Sequence, residues 1–163
     1  MIVLDPELKR NLKGVSPKAL ERFAGRARRA AGVRGKVQIL ITSNRALRTL
    51  NRQFRKKDKA TDVLSFPPAP GVDHSGDIAI SAEIAARQAR SLGHTLTQEL
   101  KVLMLHGMLH LAGYDHESDQ GEMALKEERL RRQLGLSAGL IQRTGTTKRP
   151  SRRSQTTRAK RRQ

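Results

Sequence analysis

The amino-acid sequence predicts an α+β fold in which a small mixed sheet of three to four strands packs with about five helices. Two observations lead to this prediction. Short β-branched runs alternate with longer segments whose apolar residues recur every three or four positions. The chain also has 163 residues and no cysteine, a length that suits one domain burying its own core without disulfides. We therefore expect one compact unit.

The amino-terminal part predicts a strand over residues 1–4 followed by a helix. Ser16 can cap this helix, and Pro17 suits its first position, where the amide hydrogen that proline lacks would have no helical partner. Gly32 adopts left-handed backbone without strain, so we expect the helix to end there.

A second strand and a second helix are predicted next. Residues 37–42 form a β-branched run and are predicted to be a strand. Asn44 is a candidate cap for the helix that follows. Its Leu47, Leu50 and Phe54 share one helical face, and we expect this face to point inward.

Two further strands are predicted in the middle of the chain. Residues 63–66 are apolar and end at two prolines, which indicates a strand at a sheet edge because proline cannot donate to a hydrogen-bond ladder. Residues 70–76 indicate a flexible stretch, and 77–81 the next strand. Ser81 is then expected to cap a helix that ends at Gly93.

The last two predicted helices differ in character. Thr95 and Gln98 form a possible capping box before the most apolar segment, residues 100–112, which we expect to be a central, buried helix. The final helix is predicted over about 118–134. Three acid–base pairs with a spacing of four residues indicate that it has an exposed face: Glu122 with Lys126, Glu127 with Arg131, and Glu128 with Arg132.

Positive charge dominates the composition, with 33 Lys and Arg against 15 Asp and Glu, for a formal net charge of +18. Such a balance favours polyanionic partners, most often nucleic acid. Apolar periodicity stops near residue 140, so we expect one domain over 1–140 and a disordered basic tail over 141–163. The tail either adds solubility or tethers RNA. No apolar run approaches the ~20 residues of a membrane span and no secretory pattern is evident, so we expect a cytoplasmic protein with no membrane partner.

Three of the five histidines lie between residues 106 and 116. His106 and His110 are one helical turn apart, so their side chains can hold a single ion. Gly113 can end the helix and turn the chain, which brings His116 round as a third ligand. Three imidazoles leave one tetrahedral position of a zinc ion open to water, which favours hydrolysis over a structural role.

Histidines at helical spacing also occur by chance, but two unpartnered imidazoles inside an apolar helix would be costly. We therefore predict a metallohydrolase domain with one Zn²⁺ per chain, although imidazole also suits nickel and other divalent ions. His74 and His94 lie in loop-like contexts and are interpreted as ordinary surface residues.

The histidine spacing matches the HExxHxxGxxH pattern of metzincin peptidases at each ligand and at the glycine, which predicts a metzincin-like zinc helix. One position differs, because Gly107 stands where those enzymes carry the glutamate that acts as general base. Peptide hydrolysis by the usual route is therefore not expected. A different base, or the metal without one, must activate the nucleophile.

Two segments together resemble the YbeY family of bacterial endoribonucleases, or ribosomal RNA maturation factors. One is the histidine segment over 106–116. The other runs over 51–67, an arginine-containing loop that leads into a strand, and residues 76–80 resemble the next strand of that family. In order and separation these pieces match over roughly residues 37 to 134. The basic tail is not part of the resemblance, and the linker over 67–75 can shape the site differently.

The resemblance implies a single-strand-specific, zinc-dependent endoribonuclease that acts in late ribosome maturation, notably at the 3′ end of the small-subunit ribosomal RNA. It implies ribosomal RNA and ribosomal particles as partners, with no DNA specificity. It makes the three histidines the metal ligands and gives Arg55 a functional role. A guanidinium near a metal can bind a phosphate bidentately and stabilise developing charge. Without the resemblance, Arg55 would be interpreted as one more solvated charge in a basic loop.

The surroundings of the ligands are interpreted more openly. Tyr114 and Asp115 either orient an imidazole or bind water, or they merely form the turn. Three Phe and one Tyr supply few stacking platforms, so phosphate contacts should dominate RNA binding and make it steeply salt-dependent. Two alternatives stay open: a non-catalytic ribosome assembly factor with structural zinc, whose fourth ligand would be a residue such as Asp115, and a divergent metallopeptidase.

Overall fold

The computed structural model describes residues 1–8, 12–69, 71, 74–116 and 118–136. Its described part contains a four-stranded mixed sheet and five α-helices, which confirms the predicted α+β class. The predicted tail over 141–163 lies outside the described residues, and the domain boundary near residue 140 stays a prediction. Among the described residues, no helix combines the length and the apolarity needed to cross a membrane.

The sheet contains β1 (Ile2–Leu4), β2 (Gln38–Thr42), β3 (Val63–Phe66) and β4 (Asp77–Ser81) in the spatial order β1-β2-β4-β3. The first, second and fourth strands are parallel, whereas β3 runs antiparallel to β4. The prolines after β3 therefore follow an edge strand, as predicted.

The five helices surround this sheet on both faces. They are α1 (Pro17–Ala31), α2 (Asn44–Arg55), α3 (Ala82–Leu92), α4 (Leu96–Leu111) and α5 (Glu122–Leu134), with a short 3₁₀ turn at Pro6–Leu8. Three predicted caps are confirmed, because the hydroxyls of Ser16, Ser81 and Thr95 each accept the amide hydrogen of the residue three positions later, at 3.2, 3.1 and 3.2 Å. Gln98 completes the capping box by accepting from the Thr95 amide at 2.9 Å.

The prediction of α2 was wrong in two details. Ser43, not Asn44, caps the helix, because its hydroxyl accepts the Ala46 amide hydrogen at 3.2 Å. Leu47 is fully buried as predicted, but Phe54 is 66 % exposed. The last turn of α2 reaches the edge strand β3, where Phe66 contacts the Phe54 ring and no further strand covers it.

The two carboxy-terminal helices begin at other residues than predicted. The capping box starts α4 directly at Leu96 instead of residue 100. In contrast, α5 starts at Glu122 instead of about 118, because the Asp119 carboxylate accepts the amide hydrogens of Gly121 and Met123, both at 2.8 Å. The expected exposed pair of Glu127 with Arg131 is buried, since both side chains face α4 and the core.

The main hydrophobic core lies between one sheet face and helices α1, α4 and α5. Ile39, Ile41, Ile78 and Ile80 contribute from the sheet, and all are at most 1 % exposed. Helix α4 lies at the centre of this layer, and seven of its apolar side chains are at most 1 % exposed, which confirms the predicted central helix: Leu100, Val102, Leu103, Met104, Leu105, Met108 and Leu109. A smaller cluster of Leu47, Leu64 and Ala79 seats α2 on the opposite face.

Candidate metal centre

The last two turns of α4 carry His106 and His110. The helix is held in place by its apolar contacts, and His106 is only 6 % exposed as a result. His110 follows one turn later on the same face and is half-buried. The apolar core therefore fixes the position and the direction of these two side chains without the help of a ligand.

Gly107 lets α4 approach the sheet closely at this point. The Ser65 hydroxyl on β3 donates to the Gly107 carbonyl at 3.0 Å. A Cβ atom on residue 107 would lie 2.9 Å from Cγ2 of Ile78 and 3.1 Å from Oγ of Ser65, distances too short for ordinary packing. The position at which a metzincin carries its glutamate thus has no room for a side chain. This packing explains why the peptidase base is absent here.

A tight turn after α4 brings His116 towards the other two histidines. Gly113 adopts a φ of 93°, a conformation that favours glycine, and the Tyr114 amide donates back to the Leu109 carbonyl at 3.0 Å. The Asp115 carbonyl then accepts the Asp119 amide hydrogen at 2.9 Å, which holds the returning chain. The turn therefore has the shape that the sequence predicts.

The three imidazoles converge on one point. Their ring centroids are 4.8 Å (His106 to His110), 5.3 Å (His106 to His116) and 5.2 Å (His110 to His116) apart. One ring nitrogen of each lies within 4.8 Å of the others, so the group could bind a metal ion. The Nε2 atoms of His106 and His110 are 3.2 Å apart. Zinc–nitrogen distances of about 2.0–2.1 Å in a tetrahedral site require a separation of about 3.3 Å.

Two further observations show that the donor set fits a cation. Nδ1 of His106 donates to a Glu127 carboxylate oxygen at 2.8 Å, so its Nε2 turns a lone pair towards Nε2 of His110. In addition, the buried Nδ1 of His116 has no hydrogen-bond partner among the described residues. A buried ring nitrogen without a partner is costly, and the lone pair of His106 faces a second imidazole at a distance that suits a shared cation.

Glu127 and Arg131 of α5 support His106 from behind. Oε1 of Glu127 accepts from Nη1 of Arg131 at 2.9 Å, while Oε2 receives the His106 hydrogen bond. The three side chains are 7 % exposed or less. The carboxylate therefore fixes the orientation of the imidazole, and the guanidinium fixes the carboxylate.

The pKa of His110 is lowered from 6.5 to about 4. Burial is the largest cause, followed by the neighbouring charges of His106 and His116, while a backbone hydrogen bond with Tyr114 and the charge of Asp115 raise the pKa. His110 is consequently neutral near pH 7 and keeps a lone pair available, as a metal ligand requires.

The histidines open into a cavity of about 600 Å³. Arg55 and Lys59 line it together with the three rings, and so do Tyr114 and Asp115. The structure thus brings all six residues that the sequence singled out for the site to one cavity, which Asp62 also lines. Positive side chains beside a group able to hold a cation suit an anionic ligand.

Arg55 is the last residue of α2, and the loop after it is tied back to the helix. Lys56 adopts a left-handed φ of 57°, which ends the helix. The side-chain amide of Asn51 donates to the Lys59 carbonyl at 2.8 Å, and Arg48 donates two hydrogen bonds to the Asp58 carboxylate at 2.7 and 2.9 Å. These contacts direct the end of α2 towards the cavity.

The two remaining histidines lie outside the group. Nε2 of His74 is 2.8 Å from Asp77. His94 is more buried than the sequence indicates, with its Nδ1 3.3 Å from the buried Glu99 carboxylate.

Glu127 and Arg131 are site residues that the sequence reasoning missed. A signal for them existed, because Met123, Glu127 and Leu130 recur at helical spacing and define the buried face of α5.

The chain is similar to known proteins in both sequence and structure. A family model described as "Endoribonuclease YbeY" matches residues 5–135. The chain is 59 % identical over 138 residues to an "Endoribonuclease YbeY" of Koribacter versatilis, covering 84 % of this chain and 90 % of the relative. It is 55 % identical over 126 residues to the protein of that name from Solibacter usitatus, covering 77 % and 84 %.

A solved structure is also similar. The solution structure of a Thermotoga maritima protein shares 29 % sequence identity with this chain and has a TM-score of 0.54, covering 82 % of this chain and 89 % of the other. The arrangement of helices and strands therefore has a counterpart in a solved structure.

Proposed function

The chain belongs to the YbeY family of endoribonucleases, and on this basis we propose that it is a single-strand-specific endoribonuclease in which His106, His110 and His116 hold one divalent cation. The observation that carries the proposal is the convergence of the three imidazoles at a cavity that Arg55 and Lys59 also line. A site that combines metal ligands with positively charged side chains suits hydrolysis of a phosphodiester.

In this proposal each residue of the site has a separate role. The bound cation, which we propose to be Zn²⁺, supplies Lewis-acid stabilisation of the charge that develops on the phosphoryl group. Arg55 binds the phosphate through its planar guanidinium and holds it against the histidines. Glu127 keeps His106 in the tautomer that presents Nε2 to the site. Asp62 and Asp115 also line the cavity, and we propose that one of these two carboxylates accepts the proton of the nucleophile.

For the biological substrate we propose ribosomal RNA, at the 3′ end of the small-subunit molecule, during ribosome maturation in the cytoplasm. The net charge of +18 supports a polyanionic partner such as a ribosomal particle. Phosphate contacts through Arg55 and Lys59 give affinity for RNA without reading its sequence.

The two alternatives to a nuclease are less well supported. A structural zinc site normally has four protein ligands. Among the described residues the group with converging ligand atoms comprises the three histidines and does not include Asp115. A peptidase would need a base where Gly107 packs against Ile78. The endoribonuclease is therefore the function that the geometry favours.

The test is a metal analysis paired with cleavage of a labelled single-stranded RNA. We expect His110→Ala to lose both the bound metal and the cleavage, because two imidazoles bind a cation much more weakly than three. His74→Ala is the matched control, since His74 lies outside the group, and it should retain both. Cleavage by wild-type protein from which the metal has been removed would refute the proposal.

A further inference from the structure

An apolar groove of about 720 Å³ lies beside the metal cavity. It crosses the sheet face next to α2, and its apolar walls include Val3, Leu40, Leu50, Phe54 and Phe66. At 66 % exposure, Phe54 is the aromatic side chain with a large exposed surface among the described residues. An aromatic ring left in water beside a site indicates a surface that gains from being covered.

The groove is continuous with the metal cavity. Arg55, Ser65 and Pro67 line both of them. Phe54 directly precedes Arg55 at the end of α2, so the aromatic ring and the guanidinium come from the same helical turn. A linear polymer that binds Arg55 through one monomer can therefore place the neighbouring monomer at Phe54 while it stays in contact with the protein surface.

The Phe54 ring is held in a fixed orientation. Its centroid lies 5.2 Å from that of Phe66, and the two planes are 69° apart, an edge-to-face arrangement. The contact limits rotation of the ring while most of the side chain stays open to solvent. A flat aromatic partner can stack on such a surface with little further loss of side-chain freedom.

The charge around the groove selects the kind of partner. Arg52, Arg55, Lys56 and Lys57 are exposed at the end of α2 and just after it. The acidic residue that lines the groove, Asp77, lies 2.8 Å from His74. A flat apolar surface flanked by cations matches a nucleotide, whose base stacks while its phosphates meet the positive side chains.

We propose that Phe54 is a stacking platform for one unpaired base of the RNA strand whose scissile phosphate lies at Arg55. The inference rests on the proposed endoribonuclease function and deepens it. A base inside a duplex is already stacked and paired, so only an unpaired base can reach this ring. Phe54 therefore contributes to the preference for single strands. It also supplies a stacking platform that the few aromatic residues of the sequence had not led us to expect.

The first test compares Phe54→Ala with Leu125→Ala in zinc-loaded protein. Leu125 is 71 % exposed on α5 and does not line the groove, so it is a matched apolar control. For cleavage of a labelled single-stranded oligoribonucleotide, we expect Phe54→Ala to raise KM about tenfold. The salt dependence should not change, because no charge is lost. An unchanged KM in Phe54→Ala would overturn the proposal.

The second test uses fluorescence and does not require cleavage. The chain has no tryptophan, so Phe54→Trp introduces a single one at the platform. In metal-free protein, a single-stranded oligoribonucleotide should quench this tryptophan, whereas a strand of the same length made of abasic units should not. Absence of quenching by the intact strand, or equal quenching by both, would contradict stacking. If metal-loaded wild-type protein cleaved no RNA, the proposed function would fail, and the quenching would still report separately on the platform.

Discussion

Oε2 of Glu127 on α5 lies 2.8 Å from Nδ1 of His106 on α4, and the two residues are 21 positions apart in the sequence. Both are almost fully buried. This contact connects the candidate metal centre to α5, and we expect it to make the affinity for a cation depend on a residue outside the three histidines.

Replacing Glu127 should therefore weaken metal binding. Glu127→Gln removes the charge that orients the His106 imidazole, and we expect the affinity for Zn²⁺ to fall about 10–100-fold. Competition with a chromogenic chelator measures the Kd directly. The control is Glu128→Gln, which alters the next residue, a carboxylate whose side chain is 48 % exposed. Equal affinities in the two variants would contradict a role for Glu127 in positioning.

Adding a methyl group at Gly107 should destabilise the fold. In Gly107→Ala, Cβ would lie 2.9 Å from Cγ2 of the buried Ile78. Overpacking of about 1–3 kcal/mol should outweigh the gain of about 1 kcal/mol in helix propensity. Urea unfolding measures the change. Gly25→Ala in α1 is the control, because its Cβ would be 3.7 Å from its nearest neighbour and should stabilise the protein by about 0.5–1 kcal/mol. A Gly107→Ala protein as stable as wild type would show that α4 can move away from the sheet.

Removing the guanidinium at the cavity should impair catalysis more than folding. We expect Arg55→Ala to lower kcat/KM about 10²-fold, because the exposed side chain contributes to the site and little to the core. The slope of log affinity against log salt should also fall by about one. Arg45→Ala, which alters an exposed arginine near the start of α2 that lines neither the cavity nor the groove, is the matched control and should retain most of the activity. Unfolding midpoints equal to wild type in both variants would exclude a folding defect.

Metal-free protein should lose stability in mild acid. The pKa of His110 is about 4 in the folded protein and 6.5 in the unfolded chain. Between these values the unfolded state binds a proton that the folded state does not, so stability falls as the pH drops from 6.5 towards 4. Above pH 6.5 both states are neutral at this residue, so its titration imposes no penalty on the stability of the folded protein.

Thermal unfolding of metal-free protein at about pH 7.5 and about pH 5 tests this sign. The midpoint should be lower at the acidic pH, and His110→Asn should show a smaller drop because it lacks the titrating ring. A drop of the same size in both proteins would mean that other groups cause the acid sensitivity.

The sequence was most informative where structure depends on neighbouring residues. Ser16, Ser81 and Thr95 cap helices as predicted, because capping requires a hydroxyl and an amide only three residues apart. Phe54 shows the limit of this reasoning. Helical periodicity places Phe54 on the same face as Leu47. It cannot predict that β3 is an edge strand of the described sheet and leaves the end of α2 uncovered.

For the site as well, features that depend on residues close in the sequence could be predicted, and contacts between distant residues could not. The spacing of His106, His110 and His116 is local, and the structure brings the three rings together. The role of Glu127 was missed because a Glu–Arg pair four residues apart has the same sequence pattern on a surface and in a core. Whether such a pair is exposed or buried depends on the residue that it contacts, which here is His106 on another helix. A contact between segments that are distant in the sequence cannot be predicted from a local sequence pattern.

The apolar packing of α4, which carries His106 and His110, also bears on the order of folding and cation binding. Hydrophobic packing sets the shape of this helix, so the polypeptide can finish folding before any cation arrives, unlike small zinc domains that collapse only around their ion. We therefore expect a cation to bind late, in a site that the folded chain already presents at an open cavity.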